Sequence, residues 1–173
     1  MKKLILAVIF LCSTQSIYSQ TGFNPEDWYG QWKGKLEILK AGTPEFQDVD
    51  MELHISKTTS NDTLNFTIIY KSSTINQERK YKLIAMDAER GLFKLDENNG
   101  IILDMNYFGT GLYSTFEVQG ILITSAYVLS EGAIHFSVIS SNYKSPNESK
   151  SPEDNMTVNS FPVYALQKSI LKK

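Results

Sequence analysis

From residue 30 to residue 170 the chain alternates polar and apolar positions with a period of two, the mark of strands with one face buried and one in water. The alternating tracts fall at 30–39, 47–57, 63–72, 77–87, 91–96, 101–108, 111–119, 121–130, 133–142 and 160–170. Turn-forming residues separate them: Gly42-Thr43-Pro44, Asn61-Asp62, Asn98-Asn99-Gly100, Gly109-Thr110-Gly111 and Glu131-Gly132. Asn99-Gly100 is among the strongest short hairpin signals, because both residue types accept positive φ. Connections this short exclude parallel crossovers, which need a dozen or more residues. The prediction is an all-β protein, an antiparallel up-and-down meander that closes into an eight- to ten-stranded barrel and so removes its own edges. Before the first strand, Asn24-Pro25-Glu26-Asp27-Trp28 has the cap, proline and acids of a single helical turn. Residues 142–159, rich in Ser, Pro, Asn and charge, read as one long polar loop before the last strand.

The charges assign a face to each strand, since alternate side chains point to opposite sides. Lys33, Lys35 and Glu37 leave Trp32, Leu36 and Ile38 inward; Asp50, Glu52 and His54 leave Met51, Leu53 and Ile55. The same sorting turns in Leu64, Phe66, Ile68 and Tyr70, then Arg79, Tyr81 and Leu83 opposite Glu78, Lys80 and Lys82. Further along it selects Ile101, Leu103, Met105 and Tyr107, then Leu112, Ser114, Phe116 and Val118, then Ile134, Phe136 and Val138. Residues 121–129 are apolar on both faces and leave their orientation open.

The head of the chain changes the picture. Met1-Lys2-Lys3 precedes the apolar run Leu4–Leu11, polar residues follow, and Ser19 offers a small residue before Gln20. This is the layout of a cleavable signal peptide over residues 1–19, with the run too short to span a bilayer comfortably. The expectation is an exported, periplasmic or secreted, bacterial protein whose single domain occupies residues 20–173. A lipoprotein reading would lipidate Cys12, but Leu11 stands where such signals carry a small residue. Cleavage removes the only cysteine and leaves 15 Lys and Arg against 19 acids, a net charge of −4. Nothing in that balance favours nucleic acid, and no later segment has the length and apolarity of a transmembrane helix. Without cysteines, stability rests on packing and a closed hydrogen-bond ladder.

Gly30-Gln31-Trp32 opens the first strand directly after the expected helical turn. In this the chain resembles the calycin superfamily of lipocalins, fatty-acid-binding proteins and nitrobindin-like barrels. Gly30-Gln31-Trp32-Lys33-Gly34 is similar to the Gly-x-Trp-x-Gly opening of the nitrobindin-like members. Two features depart from the pattern: Ala41–Pro44 is too short for the helical pair of fatty-acid-binding proteins, and residues 143–155 lack the helix of typical lipocalins. The resemblance therefore implies a fold and not a particular ligand.

A barrel of this size encloses an apolar space with a few polar tips, the usual form of a small-molecule site. The candidate lining is Trp32, Phe66, Tyr70, Arg79, Tyr81, Met105, Tyr107, Phe116 and Phe136, with Trp32 also expected to pack across the barrel floor. Arg79 stands out, because an inward guanidinium demands an anionic or hydrogen-bonding partner, or else sits near a barrel mouth. The resemblance adds that related barrels hold a fatty-acid carboxylate with an arginine and a tyrosine, although on other strands. His54 and His135 sort outward, which opposes a haem or metal role, and no cofactor is expected. Asp96–Gly100 lacks the spacing of a calcium loop, and no serine sits in a nucleophile elbow. Asn61, Asn65, Asn147 and Asn155 head glycosylation triplets of use only in a eukaryotic secretory pathway. The leading expectation is a non-catalytic barrel that binds a small apolar or amphipathic molecule. The alternatives are a filled barrel that binds an envelope protein, through 121–129 for instance, and a lyase or isomerase working at the barrel mouth.

Overall fold

The structure, a computed structural model, describes residues 22–43 and 46–173. The expected signal peptide and Cys12 lie outside the described residues.

A single turn of helix, α1 (Pro25–Trp28), precedes the sheet. Asn24 caps it by accepting from the Glu26 amide at 3.3 Å, and Pro25 occupies its first turn. Ten strands then close into an antiparallel barrel: β1 (Gly30–Lys40), β2 (Phe46–Lys57), β3 (Thr63–Lys71), β4 (Asn76–Asp87), β5 (Leu92–Asp96), β6 (Ile102–Phe108), β7 (Gly111–Val118), β8 (Ile121–Ser130), β9 (Ala133–Asn142) and β12 (Val163–Lys172). Each pairs with its chain neighbour, β9 passes to β12, and β12 returns to β1. Period-two patterning, short turns and closure thus appear as the sequence predicts.

Two segments differ. The polar stretch before the last strand carries a hairpin of its own, β10 (Asn147–Lys150) with β11 (Thr157–Ser160), joined in a separate two-stranded sheet. Neither strand buries a residue. The hairpin rests on turn chemistry: Ser151 N–H donates to the Met156 carbonyl, Met156 N–H to Asp154 Oδ1, and Asn155 takes a φ of 59°. Tyr143 stacks on Phe161 at 5.3 Å across its base. The β5–β6 connection is also wider than a two-residue hairpin. Positive φ falls on Asn98 (56°) and Gly100 (95°), with Asn99 not among the positive-φ residues. The side chains of Asp96 and Asn99 accept from the amides of Asn98 and Ile101 and hold this wider turn.

The seam where β12 meets β1 depends on one glycine. A Cβ on Gly34 would lie 2.3 Å from the carbonyl oxygen of Ile170, so only glycine lets the two backbones approach there. The ladder pairs Lys33 with Lys172 and Glu37 with Lys168, and no pairing occurs between those points.

One end of the barrel is plugged. Trp28 and Trp32 are 1% exposed, and Trp32 Nε1 donates to the Trp28 carbonyl at 2.8 Å. Phe23 places its ring 4.8 Å from Phe93 and 5.2 Å from Tyr107, and the Lys173 ammonium covers Trp32 at 4.4 Å. Above this plug lie Phe66, Leu53, Met105 and Leu112, all fully or almost fully buried. Trp32 therefore takes the floor position expected of it.

Candidate functional site

At the other end the strands stay open. Towards that mouth the interior contains a cavity of about 300 Å³. Its walls are apolar side chains such as Leu36, Val49, Ile68, Leu103 and Val138, and its base is an aromatic layer. In that layer Tyr127 meets Phe136 at 5.0 Å and stands edge-on to Phe66 at 5.2 Å.

Five of the predicted residues line this cavity: Tyr70, Arg79, Tyr81, Phe116 and Phe136. The other four, Trp32, Phe66, Met105 and Tyr107, point inward as sorted but are packed into the closed half below it. There they act as core: Phe66 supports Tyr127 from beneath, and Tyr107 packs on Phe23.

The structure adds residues that the pattern did not single out, chiefly Gln77, Glu97, Ser125, Tyr127 and Ser140. A signal for two of them existed. Across the Gln119-Gly120 turn, Leu112 pairs with Tyr127, Ser114 with Ser125 and Phe116 with Ile123. Directly paired residues share a face, so the inward parity of β7 fixes that of β8 despite its two apolar faces. Glu97 carries no such signal, because it lies just beyond β5 in the turn.

Polar groups gather on one side of the cavity. Arg79 Nη2 donates to Gln77 Oε1 at 3.0 Å, and the guanidinium lies 5.4 Å from the centre of the Tyr70 ring. Among the described residues no carboxylate forms an ion pair with Arg79. Burial pushes the Tyr70 phenol up to about 12, with Arg79 opposing the rise. Tyr81 is also raised by burial, lowered by Arg79 and raised by Glu97, between which its hydroxyl lies. Tyr127, the most deeply buried of the three, is held well above the usual phenol range by burial. These phenols stay protonated at neutral pH, so they serve as hydrogen-bond donors and not as bases. The cluster offers a cation and several neutral donors to an anionic or strongly accepting group.

Both histidines lie on the outer face. His54 shares a 2.8 Å contact with Glu52, His135 is exposed, and neither lines the cavity. Among the described residues no cluster of His, Cys, Asp or Glu could hold a metal ion, and no helix is long and apolar enough to cross a membrane.

No family model matches the chain, and no curated protein matches it in sequence. Solved structures do match in shape. A DUF3598-family protein of unknown function from Nostoc punctiforme gives a TM-score of 0.59 at 10% identity, over 88% of this chain and 50% of that one. The chain thus spans about half the length of that protein. The S-type phycobiliprotein lyase CPES from Guillardia theta gives 0.57 at 7% identity, over 86% of this chain and 90% of the lyase. A variant of the fluorescent protein UnaG aligns at 15% identity with a TM-score of 0.43. The fold is a closed ten-stranded antiparallel barrel, similar in shape to these first two structures.

Proposed function

We propose that this protein is a lipocalin-like binding barrel that holds a small apolar or amphipathic molecule in its interior without transforming it. The observation that carries the reading is the 300 Å³ cavity, apolar on most sides and furnished on one with Arg79, which has no carboxylate ion-paired to it among the described residues. Tyr70 and Tyr81 flank the guanidinium as donors, so a ligand with an acidic or carbonyl-bearing end is favoured over a pure hydrocarbon. A barrel of the same shape in the phycobiliprotein lyase is consistent with a fold that handles small molecules, although the likeness itself reaches only the fold. The Lys2-Lys3 head and apolar run add that the barrel works outside the cytoplasm after loss of residues 1–19.

Native mass spectrometry of the protein purified from its own host and from a heterologous one tests this directly. A reproducible extra mass that disappears on denaturation, and is reduced in Arg79→Ala, is the expected result. No bound mass in either preparation, with no uptake of the anionic apolar dye anilinonaphthalene sulfonate, would refute it.

A second reading has its own observation. On the outer wall Thr115, Thr124, Ile139, Leu166 and Leu39 lie in one cross-strand row over β7, β8, β9, β12 and β1, and carry no charge. On the wall of β2–β6 ion pairs such as Lys71–Glu52 and Lys94–Asp104 cover the surface, while Lys168–Glu37 borders the row on β12 and β1. An uncharged strip of this kind suits a protein partner in the envelope. Ile139→Lys should abolish any such association while leaving ligand uptake intact, and pull-down from envelope extracts reads the difference.

A further inference from the structure

The barrel wall is incomplete beside Arg79. β4 begins at Asn76, but its ladder with β5 begins only at Lys82, which pairs with Asp96. Residues Asn76–Tyr81 are therefore paired to β3 on one side and to no strand on the other. At 3.4 Å per residue this leaves about 20 Å of strand edge beside a gap. Beyond Asp96 the chain folds back on itself through Glu97 N–H to the Ile101 carbonyl, which draws it away towards β6. Across the gap the Asn98 side chain donates to the carbonyl of Lys80, and the Tyr81 hydroxyl hydrogen-bonds Glu97.

Outside the gap lies a groove lined by Gln77, Glu78, Arg79, Lys80, Tyr81, Glu97, Asn98 and Asn99. Four of these, Gln77, Arg79, Tyr81 and Glu97, also line the interior cavity. Side chains that face both spaces mark a place where the wall between them is open.

We infer that this gap is a lateral port, in which Arg79 holds the anionic head of the ligand while the apolar body fills the cavity and the head reaches solvent through the wall. The inference rests on the binding function proposed above and names its ligand class: monoanionic amphiphiles whose head tolerates a polar extension. Three arguments lead to it. Full enclosure of an anion in an apolar cavity removes its water, whereas a seat in the wall keeps one side hydrated and gives the other to a guanidinium. A volume of 300 Å³ equals about ten waters at roughly 30 Å³ each, enough for a modest apolar body but not for a large head as well. Glu97, on the opposite lip and hydrogen-bonded to the Tyr81 hydroxyl, repels each added negative charge, so one negative charge beside Arg79 is favoured over two.

Calorimetry on the full-length chain with decanoate, N-decanoylglycine and methyl decanoate tests the class. The port requires that decanoylglycine bind within about threefold of decanoate and that the neutral ester bind about tenfold more weakly, the loss of one charge-assisted contact. For the route, Asn99→Cys and Gln119→Cys are each treated with a bulky maleimide, beside a wild-type chain in which only Cys12 can react. Release of decanoate should slow about tenfold at the port position and stay within twofold at Gln119, on the far rim. Strong decanoate binding with decanoylglycine excluded, and equal release from both labelled variants, would overturn the port while leaving an interior binding site. Failure of all three compounds to bind would overturn the port together with the binding function.

Discussion

Whether the interior is hollow in solution can be decided by the sign of one stability change. Ser125 and Ser140 face the cavity from β8 and β9, and Ser114 faces inward from β7 directly opposite Ser125. All three are buried, at 9%, 8% and 5% exposure. Only Ser114 lies outside the cavity lining, and its hydroxyl donates to the Asp104 carbonyl at 2.6 Å. Leucine at Ser125 or Ser140 adds three carbons in place of an oxygen. At about 0.8 kcal/mol per buried methylene this is a gain of about 2.4 kcal/mol, from which rotamer entropy takes roughly 1 kcal/mol. Each variant should therefore be stabilised by about 1.5 kcal/mol, raising Tm by about 4 °C for a domain of this size. Ser114→Leu enters packed space and strips a carbonyl of its donor, and should lose about 3 kcal/mol. Urea denaturation of the three variants gives the values, and dye uptake should fall in the first two. If Ser125→Leu and Ser140→Leu are destabilised as strongly as Ser114→Leu, the interior is filled and the cavity argument fails.

Other expectations follow from single contacts. With Tyr70 raised by burial to about 12 against an ordinary phenol at 10, the native state keeps its proton longer than the unfolded one. The resulting stability is complete below pH 10 and declines as pH rises towards 12; Tyr70→Phe should flatten that decline in denaturation curves, and an unchanged slope would refute the assignment. Glu52 has its carboxyl lowered chiefly by the His54 hydrogen bond, opposed next by desolvation, and lowered further by Lys71 and Lys33. Its contribution is present above the unfolded value near 4.5 and lost as pH falls through the depressed native one. Glu52→Gln should cost roughly 0.5 kcal/mol at neutral pH and nothing at pH 2, since the network is on the surface; equal loss at both would show packing to be the cause. Gly34→Ala places a methyl 2.3 Å from the Ile170 carbonyl and should lose at least about 2 kcal/mol or open the β1–β12 seam, read by hydrogen exchange at Lys168–Lys172. Retention of wild-type stability would mean that the seam is looser than the structure shows.

The barrel was legible because alternation runs through the long strands and turn residues mark most of the connections between them. Sorting by charge turned Arg79 inward because Glu78, Lys80 and Lys82 take the opposite face; in the structure it lines the cavity but its side chain is exposed and not buried. It failed to separate core from cavity, since Phe66 and Phe136 carry the same inward parity and differ only in height along the barrel. Height depends on how strands are staggered, and alternation holds no information about stagger. The hairpin of β10 and β11 was hidden for another reason: Asn147–Lys150 and Thr157–Ser160 bury nothing, so no apolar period marks them. Glu97 and the gap beside it come from the inequality of a 12-residue β4 and a five-residue β5. Both lengths were close to those expected from the sequence, yet which end of β4 would be left unpaired emerged only with the register.

The position of the cavity has a cause in residue size. A ten-stranded barrel is wider than an eight-stranded one, whose interior side chains just suffice to fill it. At the closed end the width is taken up by rings: Phe23, Trp28, Trp32, Phe66, Phe93 and Tyr107 crowd into successive layers. Higher up, the inward positions of β2, β8 and β9 pass to Val49, Ser125, Val138 and Ser140, which are too small to meet across the same span. The space left empty therefore lies where these strands turn to small residues, and Arg79, a cation lining it among the described residues, is at the wall where the sheet is open. Enlarging the small residues should close the cavity at a gain in stability. Truncating the rings, as in Phe66→Ala, should cost about 3–5 kcal/mol and add space below the aromatic layer, away from Arg79. Loss of stability and loss of binding thus belong to different halves of one barrel, and a variant set that failed to separate them would contradict this division.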